Sequence, residues 1–190
     1  WRVLQYEASR KTNIPRRDAV FNRKEGARMT ETEFLLLFDR YHDIVYRLAL
    51  SCTRSPQDAE DIVQTVFLKL LDGRTQPMPG KERSWLAQVT VNASRDLLRA
   101  SRRRQWEPLD MDIPFAQPEE SALFDAVMAL PDKYRAVVHL HYYEGYSYQE
   151  TAEILRTSPS AVSMRLHRAR NLLRSRLEED EHETAVSKDL

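Results

Sequence analysis

The sequence is poor in cysteine, in glycine and in long apolar runs, and each shortage excludes a class of protein. Cys52 is its only cysteine, which excludes an intrachain disulfide and a cysteine-rich metal site. Its four glycines are few for a β-rich fold with many tight turns. No apolar run reaches membrane-spanning length and no signal peptide is visible, so we expect a soluble cytoplasmic protein without a membrane partner.

Patterns of catalytic and metal-binding residues are missing as well. Among the five histidines only His139 and His141 are close neighbours, and they lack an HExxH or cysteine partner pattern. We expect both on a core-facing or surface helix. Cys52 follows Ser51 without a catalytic signature, so a buried small residue is its expected role. The sequence therefore gives an enzyme little support, and we expect no cofactor, no metal and no small-molecule substrate.

Charge is balanced overall but strongly segregated along the chain. Lys+Arg and Asp+Glu both number 29, so the net charge is zero. Basic residues concentrate in residues 1–28, at Arg102–Arg104 and after Pro159, whereas residues 105–130 and the end of the chain after Leu177 are acidic. This segregation along the chain is informative where the net charge is not.

The first half of the chain has the apolar period of three helices. The first begins at Thr30 or Thr32, Ser55-Pro56 caps the second, and the third begins near Ser84-Trp85 after a Gly- and Pro-containing loop. Their predicted inward stripes are Phe34, Leu37, Phe38, Tyr41, Ile44, Val45, Leu48 and Ala49; then Ala59, Ile62, Val63, Val66 and Leu70; then Leu86, Val89, Ala93 and Leu97.

The second half predicts a smaller helical domain that ends in a helix-turn-helix. One helix spans Ser121–Leu130, and the next begins at Pro131-Asp132 and reaches Tyr143. Ser147 and Glu150 then have the spacing of a capping box, and Ser158-Pro159 opens a longer helix. The buried stripe predicted for this longer helix is Ala161, Val162, Leu166, Ala169, Leu172 and Leu173. We therefore predict an all-α protein of two small helical domains joined by an acidic, Pro-containing linker.

The longer helix has a face of one charge sign, which favours a nucleic-acid partner. That face consists of Arg165, His167, Arg168, Arg170, Arg174 and Arg176. A solvated surface helix is the alternative, but such helices normally mix acids with bases to form i,i+4 pairs. A basic second helix is typical of a helix-turn-helix that places this helix in the major groove of DNA.

The third helix carries a second polar-to-basic stripe. Its members recur at helical spacing and are Gln88, Asn92, Arg95, Arg99 and Arg102. One interpretation is that the arginines only complement the helix dipole. The continuity of the stripe and the nearby Trp85, whose ring could stack on bases, favour a nucleic-acid surface. Packing against Leu86 and Val89 is the alternative role for Trp85.

Two separate stretches resemble the extracytoplasmic-function (ECF) sigma factors, group IV of the sigma-70 family. Region 2 of that family is similar to DAEDIVQTVFLKLL followed by SWLAQVTVNASRDLLRASRRR. Region 4 is similar to LPDKYRAVVHLHYYEGYSYQETAEILRTSPSAVSMRLHRARNLLRSRL. The match covers about residues 30–177. The resemblance implies a subunit that directs core RNA polymerase to specific promoters by −35 recognition and −10 melting. It also implies three partners: core polymerase, promoter DNA and an anti-sigma factor.

The resemblance also implies roles for individual residues. Candidate contacts to core polymerase are Asp58, Asp61, Gln64 and Phe67, of which Asp58 and Asp61 have an alternative role as capping and surface acids. Candidate −10 contacts are Trp85, Asn92, Arg95, Arg99 and Arg102. Candidate −35 contacts are Ser160, Ser163, Met164, Arg165, His167 and Arg168. Ser163 and Met164 replace the Lys or Arg and the Ser that the family commonly has there. The resemblance therefore does not indicate which −35 sequence this protein recognises.

The expected domains follow from these stretches. They are a mobile basic N-terminal extension over 1–28, region 2 over 29–104, a linker over 105–119, region 4 over 120–177 and an acidic tail over 178–190. We expect Met29 to be the natural start, because the first strong helix follows it at once. The rival hypothesis is a helix-turn-helix regulator that binds DNA as a dimer without engaging polymerase.

Overall fold

The structure is a computed structural model that describes residues 29–72, 75–103 and 118–186. The predicted extension 1–28 and most of the predicted linker lie outside the described residues. Every regular element within the described ranges is helical, which confirms the all-α prediction. The elements are α1 Glu31–Thr53, α2 Pro56–Asp72, α3 Glu82–Arg103, α4 Pro118–Met128, α5 Asp132–Val138 with a π-helical continuation His139–Tyr143, α6 Tyr148–Leu155 and α7 Pro159–Val186.

Helices α2, α6 and α7 begin at the predicted capping residues. Ser147 and Glu150 form the predicted capping box at the start of α6. The Ser55 hydroxyl accepts from the amide of Asp58 at 3.2 Å, and the Ser158 hydroxyl accepts from the amide of Ala161 at 3.2 Å. Each cap satisfies an amide that has no partner within its own helix. The turn of the helix-turn-helix is therefore set by local sequence.

Helices α1 and α6 end on arginines with left-handed backbone conformations. Arg54 has φ 62° and Arg156 has φ 52°. The amide of Arg54 donates to the carbonyl of Leu50 at 2.9 Å, which satisfies one of the free carbonyls at the end of α1. A left-handed residue reverses the chain abruptly, so α7 begins only a few residues after the end of α6.

Helices α1, α2 and α3 form the first of two hydrophobic clusters. Leu37, Val45, Ile62, Val66, Leu70 and Leu86 are each at most 2 % exposed there. Each fully buried aliphatic side chain of this kind contributes about 1.5–3 kcal/mol through the hydrophobic effect. The predicted inward stripes of α1 and α2 are thus largely confirmed, and they hold both helices against α3.

Helices α4 to α7 form the second cluster, and it extends across the boundary between the two halves. Val137, Leu140, Val162 and Leu166 are fully buried at its centre. Four residues of the first half belong to the same cluster, namely Leu48 and Cys52 of α1 with Ala87 and Val91 of α3. Cys52 is buried, as predicted. The two halves therefore pack directly on each other and share this second cluster.

Three features of the fold differ from the sequence predictions. Helix α4 begins at Pro118, within the segment predicted as linker, and α7 continues to Val186 through most of the predicted acidic tail. Leu172 was predicted to be buried but is 39 % exposed, because the neighbouring Leu173 faces the core instead. Helix α3 has two buried faces rather than one, since the second half of the chain covers Ala87 and Val91.

Candidate nucleic-acid and polymerase interface

The first three turns of α7 present most of the predicted −35 residues to solvent. Ser160, Ser163, His167 and Arg168 are exposed, and Met164 is 53 % exposed. Arg165 is half-buried. On the opposite face Val162, Leu166 and Ala169 are completely buried, which fixes the orientation of the helix. The structure thus brings the predicted residues together on the free side of α7.

The chemistry of this free side suits recognition of duplex DNA. Serine hydroxyls donate or accept hydrogen bonds at base edges, and a methionine side chain can contact a thymine methyl group. Arginine side chains, which this surface also carries, commonly bind phosphates in protein–DNA interfaces and so position a protein on the duplex. The Ser158 and Ser160 hydroxyls are 2.9 Å apart at the start of α7.

Helix α2 exposes part of the predicted polymerase contact. Asp61 and Gln64 are exposed, and Asp58 is half-buried in the first turn. Phe67 is a correction to the sequence prediction, because it is only 3 % exposed and lies in the core of the first cluster. Its ring centroid is 4.8 Å from that of Phe38. Phe67 therefore supports α2 from inside and is not available as a surface contact.

Two exposed leucines on α2 were missed by the sequence interpretation. Leu68 is 63 % exposed and Leu71 is 49 % exposed, beyond Gln64 on the same helix. Both lie outside the predicted inward stripe, and that off-stripe position was the available signal. Large apolar side chains that remain exposed near a polar surface mark places where another protein packs.

The polar stripe of α3 contacts the second half of the chain. The Gln88 side-chain amide donates to the Glu153 carbonyl at 3.4 Å, and the Arg95 guanidinium donates to the Leu155 carbonyl at 3.3 Å. Arg99 remains exposed and pairs with Asp96 at 3.6 Å. The side chain of Arg102 lies outside the described residues. The middle of the stripe is therefore engaged by the C-terminal end of α6.

Trp85 and Asn92 lie beside this contact and are both half-buried. Trp85 packs against the first hydrophobic cluster. Its core-packing role is therefore present, while part of the side chain stays accessible. A partly accessible aromatic next to polar side chains is compatible with stacking on an unpaired base.

Positive charge accumulates where α3 meets the helix-turn-helix. A cleft of about 410 Å³ is lined by Asn92, Arg95, Asp96, Arg99 and Arg156. Burial lowers the pKa of Arg95, and the nearby guanidinium groups of Arg165, Arg99 and Arg156 act in the same direction. Like charges at this spacing repel one another and attract an anion such as a phosphate group.

Arg135 of α5 joins the two halves by hydrogen bonds. It is 2 % exposed, and its guanidinium donates to the carbonyls of Ser51 at 2.7 Å and Cys52 at 3.3 Å in the last turn of α1. It also donates to the carbonyls of Met128 and Leu130 and pairs with Asp132 at 2.6 Å. The buried charge is therefore well satisfied, and it lies at the negative end of the α1 dipole.

Glu144 makes a second charged connection between the halves. This residue is 3 % exposed, and its carboxylate lies 3.5 Å from the guanidinium of Arg47 and 3.3 Å from that of Arg83. His139 Nε2 is 3.4 Å from the same carboxylate. Burial alone would raise the pKa of Glu144, but His139, Arg47 and Arg83 together hold the pKa below its usual range.

Arg83 is the residue that connects this cluster to aromatic packing. Its guanidinium also donates to the Glu144 backbone carbonyl, and its central carbon lies 4.3 Å from the centroid of the Tyr146 ring.

Among the described residues, no group of three or more His, Cys, Asp or Glu could hold a metal ion. None of the described helices combines the length and the apolar character that a membrane span requires.

Two family models match the chain in the order that the sequence predicted. Sigma-70 region 2 matches residues 37–104, and Sigma-70 region 4 matches residues 121–173. The first match contains α2 and α3, and the second contains α5, α6 and the first half of α7. A solved structure of the sigma factor RpoE with the anti-sigma factor NepR from Bartonella quintana has a similar fold. It has a TM-score of 0.61 and 22 % identity over 77 % of this chain and 95 % of that one.

Relatives of known type extend over most of the chain. The ECF RNA polymerase sigma factor SigE of Mycolicibacterium smegmatis is 32 % identical over 80 % of this chain, which spans 64 % of the length of that protein. The RNA polymerase sigma factor CarQ of Myxococcus xanthus is 32 % identical over 78 % of this chain and 91 % of its own length. With both sigma regions present in the expected order, the chain belongs to the ECF sigma factors of the sigma-70 family.

Proposed function

We propose that the chain directs core RNA polymerase to specific promoters in the cytoplasm and initiates transcription by −35 recognition and −10 melting. The observation that carries this proposal is that one chain combines an exposed recognition face on α7 with an exposed polar face on α2. A simple DNA-binding regulator needs only the first of these surfaces. The protein contributes no catalytic group in this role, since polymerase performs the chemistry.

On α7 we assign base reading and positioning to different residues. Ser160, Ser163 and Met164 lie in the first two turns, which are the part of a recognition helix that reaches base edges. Arg165 and Arg168 bind mainly phosphate, and His167 lies between them on the exposed side. Because Met164 cannot donate a hydrogen bond, it favours an apolar contact such as a thymine methyl group.

On α3 we assign the −10 element to Trp85, Asn92, Arg95, Arg99 and Arg102. Unstacking of a base step costs a few kcal/mol. Stacking of an exposed base on an aromatic or guanidinium face returns about 1–3 kcal/mol. Trp85 supplies such a face, and the arginines supply phosphate contacts along the strand. The stripe therefore has the chemistry that capture of a melted strand requires.

On α2 we assign docking on core polymerase to Asp58, Asp61 and Gln64, extended by the exposed Leu68 and Leu71. Polar residues beside exposed apolar ones are typical of protein interfaces, whose apolar centre is surrounded by a polar rim. With this assignment residues 29–104 act as region 2, residues 120–177 as region 4, and 105–119 as the connection between them. The acidic residues 178–190 follow region 4.

We also expect an anti-sigma factor that contacts both halves. The RpoE structure from Bartonella quintana was solved with such a factor, NepR, and its fold is similar to that of this chain. A pull-down from the native host should recover a small inhibitor as well as polymerase subunits. Recovery of polymerase subunits alone would contradict this part of the proposal.

Run-off transcription with purified core polymerase tests the function directly. Promoter-specific transcripts should appear only when the protein is added to core enzyme. The double variant Asp61→Lys with Gln64→Ala should reduce co-purification with core polymerase, while the circular dichroism stays unchanged. Asp39→Lys, a charge reversal at an exposed position of α1, is the matched control. Absence of transcripts on every genomic promoter, with tight dimeric binding to DNA alone, would instead favour the regulator hypothesis.

A further inference from the structure

Tyr134 of α5 has a buried ring with an exposed lysine beside it. The residue is 8 % exposed and belongs to the second hydrophobic cluster, which also contains Leu166 and Ala169 of α7. The Lys133 ammonium lies 4.9 Å from the centroid of the ring, within the range of a cation–π contact. Apolar packing therefore explains the position of the ring, but it does not explain why this residue carries a hydroxyl group.

The hydroxyl of Tyr134 interacts with one cation of α5 and one cation of α7. Burial raises the pKa of Tyr134, but hydrogen bonds and positive charge from Arg168 and Lys133 outweigh burial and lower the pKa below its usual value. A guanidinium and an ammonium only donate, so the phenol oxygen is the acceptor in both hydrogen bonds. Because a guanidinium has several N–H donors, the exposed Arg168 retains donors for a second acceptor.

The backbone that carries Tyr134 is anchored by its neighbours. The amide of Tyr134 donates to the Pro131 carbonyl at 2.8 Å at the start of α5. The next residue, Arg135, is buried and donates to the carbonyls of Met128 and Leu130. A side chain on an anchored helix positions a partner more precisely than a side chain on a loop. Tyr134 therefore provides a rigid hydrogen-bond acceptor for a long, exposed arginine.

We propose that Tyr134 is a positioning residue, whose hydroxyl orients the Arg168 guanidinium for contact with a DNA phosphate. This inference rests on the proposed function, which assigns Arg168 to phosphate. A freely rotating arginine side chain loses conformational freedom when it binds, and that loss weakens binding. A guanidinium that the phenol oxygen already holds has lost part of this freedom before DNA arrives. Tyr134 thus acts on DNA through Arg168.

Positive charge around Tyr134 fits a phosphate group as the ligand. Lys133 and Arg165 line one cavity of about 440 Å³. Asp132 lines the same cavity, but its carboxylate pairs with the buried Arg135 at 2.6 Å. The charges of Lys133 and Arg165 therefore remain to attract a polyanion such as DNA.

Tyr134→Phe in the full-length chain tests the hydroxyl alone, because the ring and its packing remain. Tyr146→Phe is the matched control, since Tyr146 is also buried and its hydroxyl has no hydrogen-bond partner among the described residues. The probe is a fluorescein-labelled DNA duplex of random sequence, which reports phosphate contacts because they carry no sequence information. Fluorescence anisotropy at low salt should show about two- to tenfold weaker binding by Tyr134→Phe, the range for the ordering of one long side chain. The control should bind like wild type.

A double-mutant cycle with Arg168→Ala shows whether Tyr134 acts through that arginine. If it does, Tyr134→Phe should have no further effect on duplex binding in the Arg168→Ala background. The salt slope gives a second readout. Arg168→Ala should lower the slope by about one, whereas Tyr134→Phe should leave it unchanged, because the guanidinium can still reach the phosphate. Wild-type affinity in Tyr134→Phe, or an equal loss with and without Arg168, would overturn the proposal.

NMR relaxation of the Arg168 Nε–H group measures its positioning in the absence of DNA. The order parameter of this group should fall in Tyr134→Phe and stay at the wild-type value in Tyr146→Phe. Near-ultraviolet circular dichroism checks that the core packing of each variant is unchanged. An unchanged order parameter in Tyr134→Phe would contradict the positioning role even if DNA affinity falls, because the loss of affinity would then have another cause.

Transcription separates this inference from the proposed function. If wild-type protein supports run-off transcription but Tyr134→Phe loses neither duplex affinity nor order at Arg168, the positioning role is wrong and the function stands. If wild-type protein supports no transcription while Tyr134 and Arg168 remain coupled in duplex binding, the positioning role stands and the function is wrong.

Discussion

Helices α3 and α7 both carry arginines expected to bind DNA, but the fold leaves the face of α7 exposed and places part of the face of α3 in contact with α6. On α7 the positions that we assign to base reading are exposed, and Met164 is 53 % exposed. On α3 the side chains of Gln88 and Arg95 already donate to carbonyls of α6. The polar-to-basic faces of α3 and α7 are thus similar in sequence but differ in accessibility to solvent. A basic stripe identifies a surface that can bind nucleic acid, but it does not tell whether that surface is open.

The physical cause of the difference is the number of buried faces. Helix α7 packs on one side through Val162 and Leu166, so its opposite side must face solvent. Helix α3 packs against α1 and α2 through Leu86 and against the second half through Ala87 and Val91. Its buried hydroxyls at Thr90 and Ser94 are satisfied by carbonyls within the same helix, which permits the close approach. The polar stripe then lies at the edge of an interface.

The largest expected effect concerns the connection between the halves. Arg135→Ala should lower the free energy of unfolding by about 3–5 kcal/mol, because four backbone carbonyls and Asp132 lose a buried charged donor. Urea denaturation followed by circular dichroism measures the change. Arg40→Ala should stay within about 0.5 kcal/mol of wild type, as expected of an exposed residue. Equal stability of the two variants would show that the halves do not depend on Arg135.

The packing of α7 gives a slightly smaller effect with an internal control. Leu166→Ala should cost about 2–5 kcal/mol, because Leu166 is completely buried and truncation leaves a cavity. Leu172→Ala should lower the free energy of unfolding by much less than Leu166→Ala does, since Leu172 is 39 % exposed. Thermal and urea denaturation of both variants compare the two positions. A similar loss in each would mean that Leu172 is buried in solution, as its sequence period predicted.

The open face of α7 should respond in specificity more than in stability. Met164→Arg should change which −35 sequence is preferred by about 1–3 kcal/mol at one base pair, because a bidentate donor to guanine replaces an apolar contact. Arg168→Ala should weaken binding uniformly across −35 variants and reduce the salt slope by about one. Promoter-variant transcription with reconstituted holoenzyme at two salt concentrations measures both. A change of sequence preference in Arg168→Ala alone would reverse the assigned roles.

The smallest effect concerns the pH dependence of the Glu144 connection. Because the native pKa of Glu144 is held below its usual range, its contribution to stability is present above the unfolded-state pKa and disappears as pH falls through the native value. Glu144→Gln should therefore be less stable than wild type by about 1.5 kcal/mol near pH 7, the value of a weaker charged hydrogen bond. The difference should shrink in acid. Urea denaturation between neutral and acid pH measures it, and a constant difference would contradict the assignment.

Local features of the fold were predictable because their causes lie within a few residues. The caps at Ser55, Ser147 and Ser158 lie where their sequence spacing placed them. The buried stripes of α1 and α2 follow from the helical period, because an amphipathic helix buries its apolar face against the core. Phe67 was misassigned because family likeness pointed to a surface role, whereas its ring packs on Phe38. Leu172 was misassigned because it stands beside Leu173, and period alone does not choose between neighbours.

The sequence by itself determined that the chain is helical, the capped starts of α2, α6 and α7, the basic face of α7 and the family to which the chain belongs. Only the tertiary structure decided that Arg135 caps α1, that Glu144 joins Arg47 to Arg83, and that the end of α6 contacts Gln88 and Arg95 of α3. Helix period and capping depend on residues at most about four positions apart. The contacts of Arg135 with α1 span 84 and 83 residues, so no local pattern contains them. These contacts form only when the whole chain folds and the apolar faces of its two halves pack together.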